Sequence, residues 1–347
     1  MNEVVGLDLR SSALMDFKVR KRLYRSIEAE RGTKVIAFAT SDRQGMETQI
    51  APDCVSLFVE LLDQLGPVPK LSLILHTNGG QTASAWRIVN LMRTFADDFE
   101  VIVPFKALSA GTLICLGANR VVMTKQAALG PIDPSLNHPL NPAVQAGVQI
   151  ARVPVSVEAV RGYIDAARDD LKVTDPGQLI SLLIDLSNKI HPLVLGEIFR
   201  SRSQIRFLAD RLIRGQVTDE KKIGQIIDFL CGDSGSHDYT INRREADALG
   251  LKIEKPTDDF YKLLKKIQES YTIEMKLLEP FSPNVVIGAN PAADYSLVRA
   301  VLESASGGCH RFLSEGTMTK TMVPGGPLGT QEAITDQRTF EGWRKFV

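Results

Sequence analysis

The stretch that decides the fold runs from Leu71 to Asn137: LSLILHTNGGQTASAWRIVNLMRTFADDFEVIVPFKALSAGTLICLGANRVVMTKQAALGPIDPSLN. It reads as two strand-turn-helix units, a third strand and a Gly/Pro-rich loop. Leu71 to Leu75 is apolar, breaks at His76-Thr77-Asn78-Gly79-Gly80, and leads into a helical pattern with Ala85, Ile88, Val89, Leu91 and Met92 mostly on one face. A buried strand feeding an amphipathic helix gives that run and break. Val101 to Pro104 is the second strand, Lys106 and Ala107 lie in the turn, and Ser109-Ala110-Gly111-Thr112 opens a helix of small and apolar residues. Ser109 thus falls at an N-cap or first-turn position. Arg120 to Thr124 is a third strand, followed by the stiff loop Ala128 to Pro134.

Strands at this spacing imply right-handed crossovers and a mostly parallel sheet, with ligands at the carboxyl ends of the strands. Both turns lie at those ends. A serine at a helix start beside two successive glycines supplies a nucleophile and closely placed backbone donors, the parts an acyl-transfer site needs.

Upstream, Lys34 to Thr40 is a strand and Ala51 to Leu65 a helix, with Val55, Phe58, Val59 and Leu62 at one-face spacing. Ser11 to Glu30 reads as a helix whose run Lys18, Arg20, Lys21, Arg22 and Arg25 is expected to be a solvated or oligomer-contacting face. After Asn137 the prolines at 139, 142 and 154 bracket an expected long irregular loop, His138 to Val155. Helical patterns follow over Val157 to Leu171, Gln178 to Lys189, Pro192 to Arg214, Asp219 to Leu230, Asn242 to Leu249 and Lys255 to Leu278. Beyond them Asn284 to Ile287, Tyr295 to Leu302, Cys309 to Ser314 and Thr317 to Val323 read as strands, with a hairpin break at Gly307-Gly308, and the last residues as a tail. The expected division is 1–33 N-terminal helix, 34–137 α/β core, 138–283 helical part of the same domain, and 284–347 β-rich extension and tail.

With 41 Lys+Arg against 41 Asp+Glu, no bulk charge argues for a nucleic-acid or anionic-membrane role, which leaves room for local basic patches. The four cysteines have no CxxC spacing, so reduced thiols are expected rather than a zinc site or disulfide framework. No run of 18 or more apolar residues occurs. The sequence-level expectation is a cytoplasmic protein without a transmembrane segment, peripheral membrane contact left open.

Asn78-Gly79-Gly80, then Ser109-Ala110-Gly111-Thr112, then Ala128-Leu129-Gly130-Pro131-Ile132-Asp133-Pro134 resemble the ClpP/crotonase superfamily. Within it they are most similar to the serine dehydrogenase proteinase and signal-peptide-peptidase-A branch. The resemblance is strongest over about 35 to 137 and extends more weakly through Lys189 to Leu193 and Ser236 to Ala246, to about Leu251. It implies a spiral of βαβ units, a serine peptidase acting through an acyl-enzyme on Ser109, an oxyanion hole from Gly79, Gly80 and Ala110, no cofactor or metal, and a ring or stacked homo-oligomer taking short or unfolded peptides. The general base stays open. Where the ClpP pattern has histidine, this chain has Asp133, which with His191 would complete a Ser-Asp-His set. Lys189 or Lys172 would instead make a Ser-Lys dyad, and His138 is a weaker candidate. A crotonase-type acyl-CoA enzyme, or a non-catalytic oligomeric binding protein of the same fold, is the alternative.

Overall fold

The computed structural model describes residues 17–132, 135–136, 138–146, 149–153, 155–233, 238–324 and 330–346. In chain order the core comprises α1 (Phe17–Arg31), β1 (Lys34–Thr40), α2 (Pro52–Leu65), β2 (Val68–His76), α3 (Thr82–Phe95), β3 (Ala96–Val103), β4 (Lys106–Ala107), α4 (Ala110–Leu116) and β5 (Arg120–Met123). Short strands follow: β6 (Ala128–Leu129), β7 (Ser135–Leu136), β8 (Ala143–Ala146), β9 (Gln149–Arg152) and β10 (Val155–Ser156). Next come α5 (Val157–Asp165), α6 (Pro176–Lys189), α7 (Pro192–Ile213), α8 (Glu220–Asp228), β11 (Ile241–Asn242), α9 (Arg243–Leu249), β12 (Ile253–Glu254), α10 (Asp258–Glu274) and α11 (Pro283–Ile287). The chain closes with β13 (Ala292–Ser304), β14 (Gly308–Pro324) and β15 (Thr330–Phe346).

The main sheet has the order β12-β5-β3-β2-β1-β13-β14-β15. From β12 to β1 every pairing is parallel, and from β1 onward every pairing is antiparallel. The mostly parallel α/β architecture expected from the opening stretch is therefore present, and the C-terminal strands continue the same sheet. Apolar layers cover both faces. Leu71, Leu73 and Leu75 pack with α2, α3 and α4 on one side, while Ile74 packs with α1 and α10 on the other. That alternation is the two-residue period of a strand buried on both faces, and it explains why the run is continuously apolar.

Local chemistry sets the boundaries. The α2 helix starts with Pro52 in its first turn, where a missing N–H costs nothing, and stops at Gly66 with φ 66°. Asn242 caps α9 by accepting from the N–H groups of Arg244 and Glu245, and Gly250 ends it at φ 104°.

Several expectations are corrected. Strand β3 begins at Ala96, directly after α3, because its polar residues find charged partners across the sheet: Arg120 Nη1 donates to Asp98 at 3.1 Å and Arg31 Nε to Glu100 at 2.7 Å. The expected loop 138–155 contains the hairpin β8–β9. Asn284 to Ile287 is helical; Pro283 in the first turn and Gly288 at φ 55° punctuate it, and this outweighs the β-branched run. The expected tail is β15, paired with β14 from Cys309↔Phe346 to Pro324↔Thr330. The basic face of α1 is only partly solvated: Lys18, Arg22 and Arg25 are exposed, but Arg20 is fully buried, donating from Nε to Glu303 at 2.9 Å and pairing with Glu274 at 2.5 Å.

Candidate active site

The serine lies between β4 and α4. Reciprocal backbone bonds hold β4 to the turn after β2, with Thr77 N donating to Lys106 O and Leu108 N to Thr77 O, both at 3.0 Å. Ser109 then takes φ 51°, ψ −115°, and its hydroxyl makes no helix-capping bond. A side chain other than glycine held at positive φ costs on the order of 1–3 kcal/mol and persists where the surroundings enforce it. The simple N-cap role therefore does not account for Ser109. A sharp, strained strand-to-helix turn instead projects a serine hydroxyl away from its own helix, the geometry of a nucleophile elbow.

Small residues around the serine make that turn possible. A Cβ on Gly111 would stand 2.7 Å from Thr77 Cγ2, and one on Gly79 would stand 2.8 Å from both Leu108 O and Ser109 Cβ. Thr112 Oγ1 lies 2.9 Å from Ala107 O and accepts from Gly130 N at 3.1 Å, tying α4 to the loop after β6.

The glycine turn divides its work. Gly79 N donates to Thr77 Oγ1 at 3.0 Å, while Gly79 O accepts from Ile50 N and Ile50 O accepts from Gln81 N, both at 2.8 Å. Gly79 thus serves by its shape, closing the turn against Ser109. The N–H groups of Gly80 and Ala110 take no protein acceptor among the described residues. These two donors flank the serine turn and can receive a developing oxyanion. A cavity of about 330 Å³ adjoins Gly80 on the glycine-turn side, lined by Glu47, Thr48, Gln49, Asn78, Gly79 and Gly80.

Of the residues considered as the base, Asp133 lies outside the described residues. His191 is exposed at the N-cap of α7, where its Nδ1 accepts from Leu193 N at 3.2 Å. Lys189 is exposed at the end of α6, and Lys172 is exposed at φ 56°. His138 Nδ1 accepts from Leu140 N at 3.0 Å, with Nε2 3.7 Å from Glu197. Among the described residues, none of these side chains hydrogen-bonds to Ser109.

Sequence reading missed a charged cluster beside the turn. Asp42, just past β1, is ion-paired with Lys106 and lies 3.9 Å from His76 Nε2. Burial would raise the Asp42 carboxyl, but the ion pair with Lys106 and the approach of the His76 ring hold it down at about 2. His76 is buried, as its place at the end of an apolar strand suggested, yet neither ring nitrogen has a hydrogen-bond partner among the described residues. The visible signal was a histidine ending an apolar strand; nothing local pointed to Asp42, 34 positions earlier.

This fold and this turn define a mostly parallel α/β protein with a strained serine at a helix start. Residues 9–152 match the family of ClpP-like SDH-type serine proteinases, and over that segment the resemblance carried by the motifs is borne out. Two curated relatives, both from Methanocaldococcus jannaschii, are similar in sequence. The uncharacterized protein MJ1495 is 27% identical over 250 residues, 69% of this chain and 74% of its own length. The uncharacterized protein MJ0137 is 27% identical over 198 residues, 56% of this chain but only 58% of its own length. Among solved structures, a membrane-bound stomatin-specific protease (1510-N) overlaps 63% of this chain and 79% of its own, at 18% identity and TM-score 0.33. A ClpP1 variant from Listeria monocytogenes overlaps 68% of this chain and 98% of its own, at 14% identity and TM-score 0.35.

Proposed function

We propose that the protein is an ATP-independent serine peptidase that cleaves short or unfolded peptides through an acyl-enzyme on Ser109. The observation that carries this reading is the backbone of Ser109, held at φ 51° with its hydroxyl free of any capping bond, between two unengaged N–H groups. In the proposed reaction, Ser109 Oγ attacks the scissile carbonyl as a base takes its proton. The carbonyl oxygen becomes an oxyanion between the N–H groups of Gly80 and Ala110, and collapse of the intermediate expels the amine and leaves the acyl-serine. Water then releases the acid by the reverse sequence. The 330 Å³ cavity alongside Asn78 to Gly80 is the proposed seat for an extended peptide. Asp133 with His191, or Lys189 or Lys172 alone, are the proposed sources of the base. An acyl-CoA enzyme would use the same oxyanion donors but has no need of a strained serine, so the Ser109 backbone favours the peptidase.

Among the described residues no single helix is long and apolar enough to cross a membrane, although α6 and α7 form a bent apolar pair, 106° apart. Ile180, Leu183, Ile184, Leu193 and Phe207 are exposed on these two helices. In this proposal they serve contacts between copies of a cytoplasmic homo-oligomer.

The test is labelling with a fluorophosphonate probe, with the adduct located by mass spectrometry in the parent protein and in Ser109→Ala, His191→Ala and Lys189→Ala. An adduct on Ser109, lost in one base variant and retained in the other, is the expected result. No adduct in the folded parent protein would sink the proposal.

A further inference from the structure

A second cavity, of about 400 Å³, lies where the carboxyl ends of β1 and β2 meet the second half of α10. Buried His76 and Gln268 line it beside Asp42, its apolar walls include Phe105, Ile273 and Leu277, and the exposed Leu278 stands at its rim. It shares no lining residue with the cavity at Asn78 to Gly80. Strand alternation explains the separation. Leu73 and Leu75 point into the core that holds α4, whereas Ile74 packs with α1 and α10, and His76 shares the Ile74 parity. In β4, likewise, Ala107 joins the α4 core and Lys106 reaches Asp42.

Among the described residues, four polar atoms here are buried with no hydrogen-bond partner: both ring nitrogens of His76, Gln268 Oε1 and Asp42 Oδ1. His76 and Gln268 are 1% and 8% exposed, so neither side chain turns to bulk water. Buried polar groups are normally paired, and a cluster of exceptions in one apolar cavity calls for a ligand or for ordered water. The volume is that of a small-molecule site, an apolar enclosure with a few convergent polar groups.

We propose that this cavity binds a small uncharged molecule with an apolar body and a hydrogen-bond-donating head such as a hydroxyl. The polarity of the unpartnered atoms selects the head. Asp42 Oδ1 and Gln268 Oε1 accept only, and a neutral imidazole offers one acceptor and one donor. A hydroxyl both donates and accepts. Charge is not called for, because Lys106 already neutralises Asp42, and the rim residues Lys265 and Glu269 are opposite in sign. A carboxylate head would set acceptor against acceptor at two of the four atoms. Phe105, stacked on the His76 ring at 6.0 Å between centroids, and the α10 aliphatics receive the body.

The probes are 4-phenylbutan-1-ol and, as its charged match, 4-phenylbutyrate, titrated into the full chain and followed by ligand-detected NMR. This readout does not involve Ser109, so it stands or falls apart from the peptidase proposal. Saturable binding of the alcohol is expected, with the carboxylate at least tenfold weaker. Replacement of the polar floor in His76→Phe should weaken the alcohol tenfold or more. Ile273→Trp, which fills the cavity from a half-buried wall position, should abolish binding in a protein whose circular dichroism is unchanged. The proposal is overturned if the alcohol does not saturate, if it binds Ile273→Trp as well as the parent, or if the carboxylate binds equally well. Undiminished binding in a folded His76→Phe would overturn the head-group assignment, leaving only an apolar pocket.

Discussion

Ser109 and Gly80 carry different physical loads. Ser109 stores backbone strain, whereas Gly80 is required by close approach: at φ 144°, a Cβ there would stand 2.3 Å from Ile50 O and 2.5 Å from Ile50 N. Gly80→Ala must therefore push the chain at Ile50 away or rotate its own N–H out of line. The expected outcome is a fall of about 100-fold or more in the rate of Ser109 phosphonylation, the scale of losing one oxyanion donor. A stability loss of about 1–3 kcal/mol from overpacking should accompany it. Stopped-time labelling together with urea unfolding separates the two effects, and an unchanged labelling rate would remove Gly80 from the site. At this scale the sequence was informative about which residues stand together. Asn78-Gly79-Gly80 and Ser109-Ala110 occupy corresponding strand-to-helix turns, and the structure joins them through Thr77 and Leu108. It could not tell that Gly79 spends its N–H on Thr77 Oγ1 while Gly80 keeps its own free.

The elements of the parallel half were legible because they are buried on both faces and punctuated by proline and glycine. On the antiparallel side β13 and β14 were also read as strands, but the edge strand β15 was not. Strand β15 is exposed along most of its length, so selection for apolar alternation is weak and its sequence reads as polar tail. What fixes it is an anchor near its end. Trp343 donates from Nε1 to Asp53 Oδ2 at 3.0 Å and packs edge-on against Phe312, 5.6 Å between ring centroids. Trp343→Ala should cost about 1–2 kcal/mol, less than a fully buried aromatic because the ring is half-exposed. Denaturant unfolding measures the loss, and hydrogen exchange should show it first as faster exchange along β14 and β15. Cap chemistry at α9 was equally readable, and Asn242→Ala should cost about 1 kcal/mol by leaving the Arg244 and Glu245 N–H groups without their acceptor.

Over the whole molecule, buried charge links segments distant in sequence. Glu100, fully buried in β3, accepts from Arg31 Nε and Nη2 at 2.7 Å and lies 3.3 Å from Lys70 and 3.2 Å from Arg120; Arg31 also reaches Glu254 at 2.7 Å. Burial acts to raise the Glu100 carboxyl, but the hydrogen bonds from Arg31 and Ser72 and the charges of Arg31 and Lys70 prevail, holding it at about 2 against an ordinary 4.5. The depressed value means that the unfolded chain takes up the proton first. The stabilisation is complete above about pH 4.5 and is lost as pH falls toward about 2. Glu100→Gln should lower stability at pH 7 by on the order of 3 kcal/mol, since it leaves paired cations buried, and should flatten the acid limb of the stability curve over that window. An acid limb identical to that of the parent protein would assign the pH dependence to other carboxylates.

By itself the sequence determined the parallel α/β core, the order of its strands and helices, and the residues of the serine and glycine turns. Period, burial and turn chemistry are local, and each is written within a dozen residues. Only the tertiary structure decided that Ser109 is strained rather than capping, that Gly80 and Ala110 keep the free donors, that the polar C-terminal stretch is a long edge strand, and that Asp42, His76 and Gln268 enclose a second cavity. Those outcomes depend on which atoms meet when separate elements pack together, and no local pattern records the meeting.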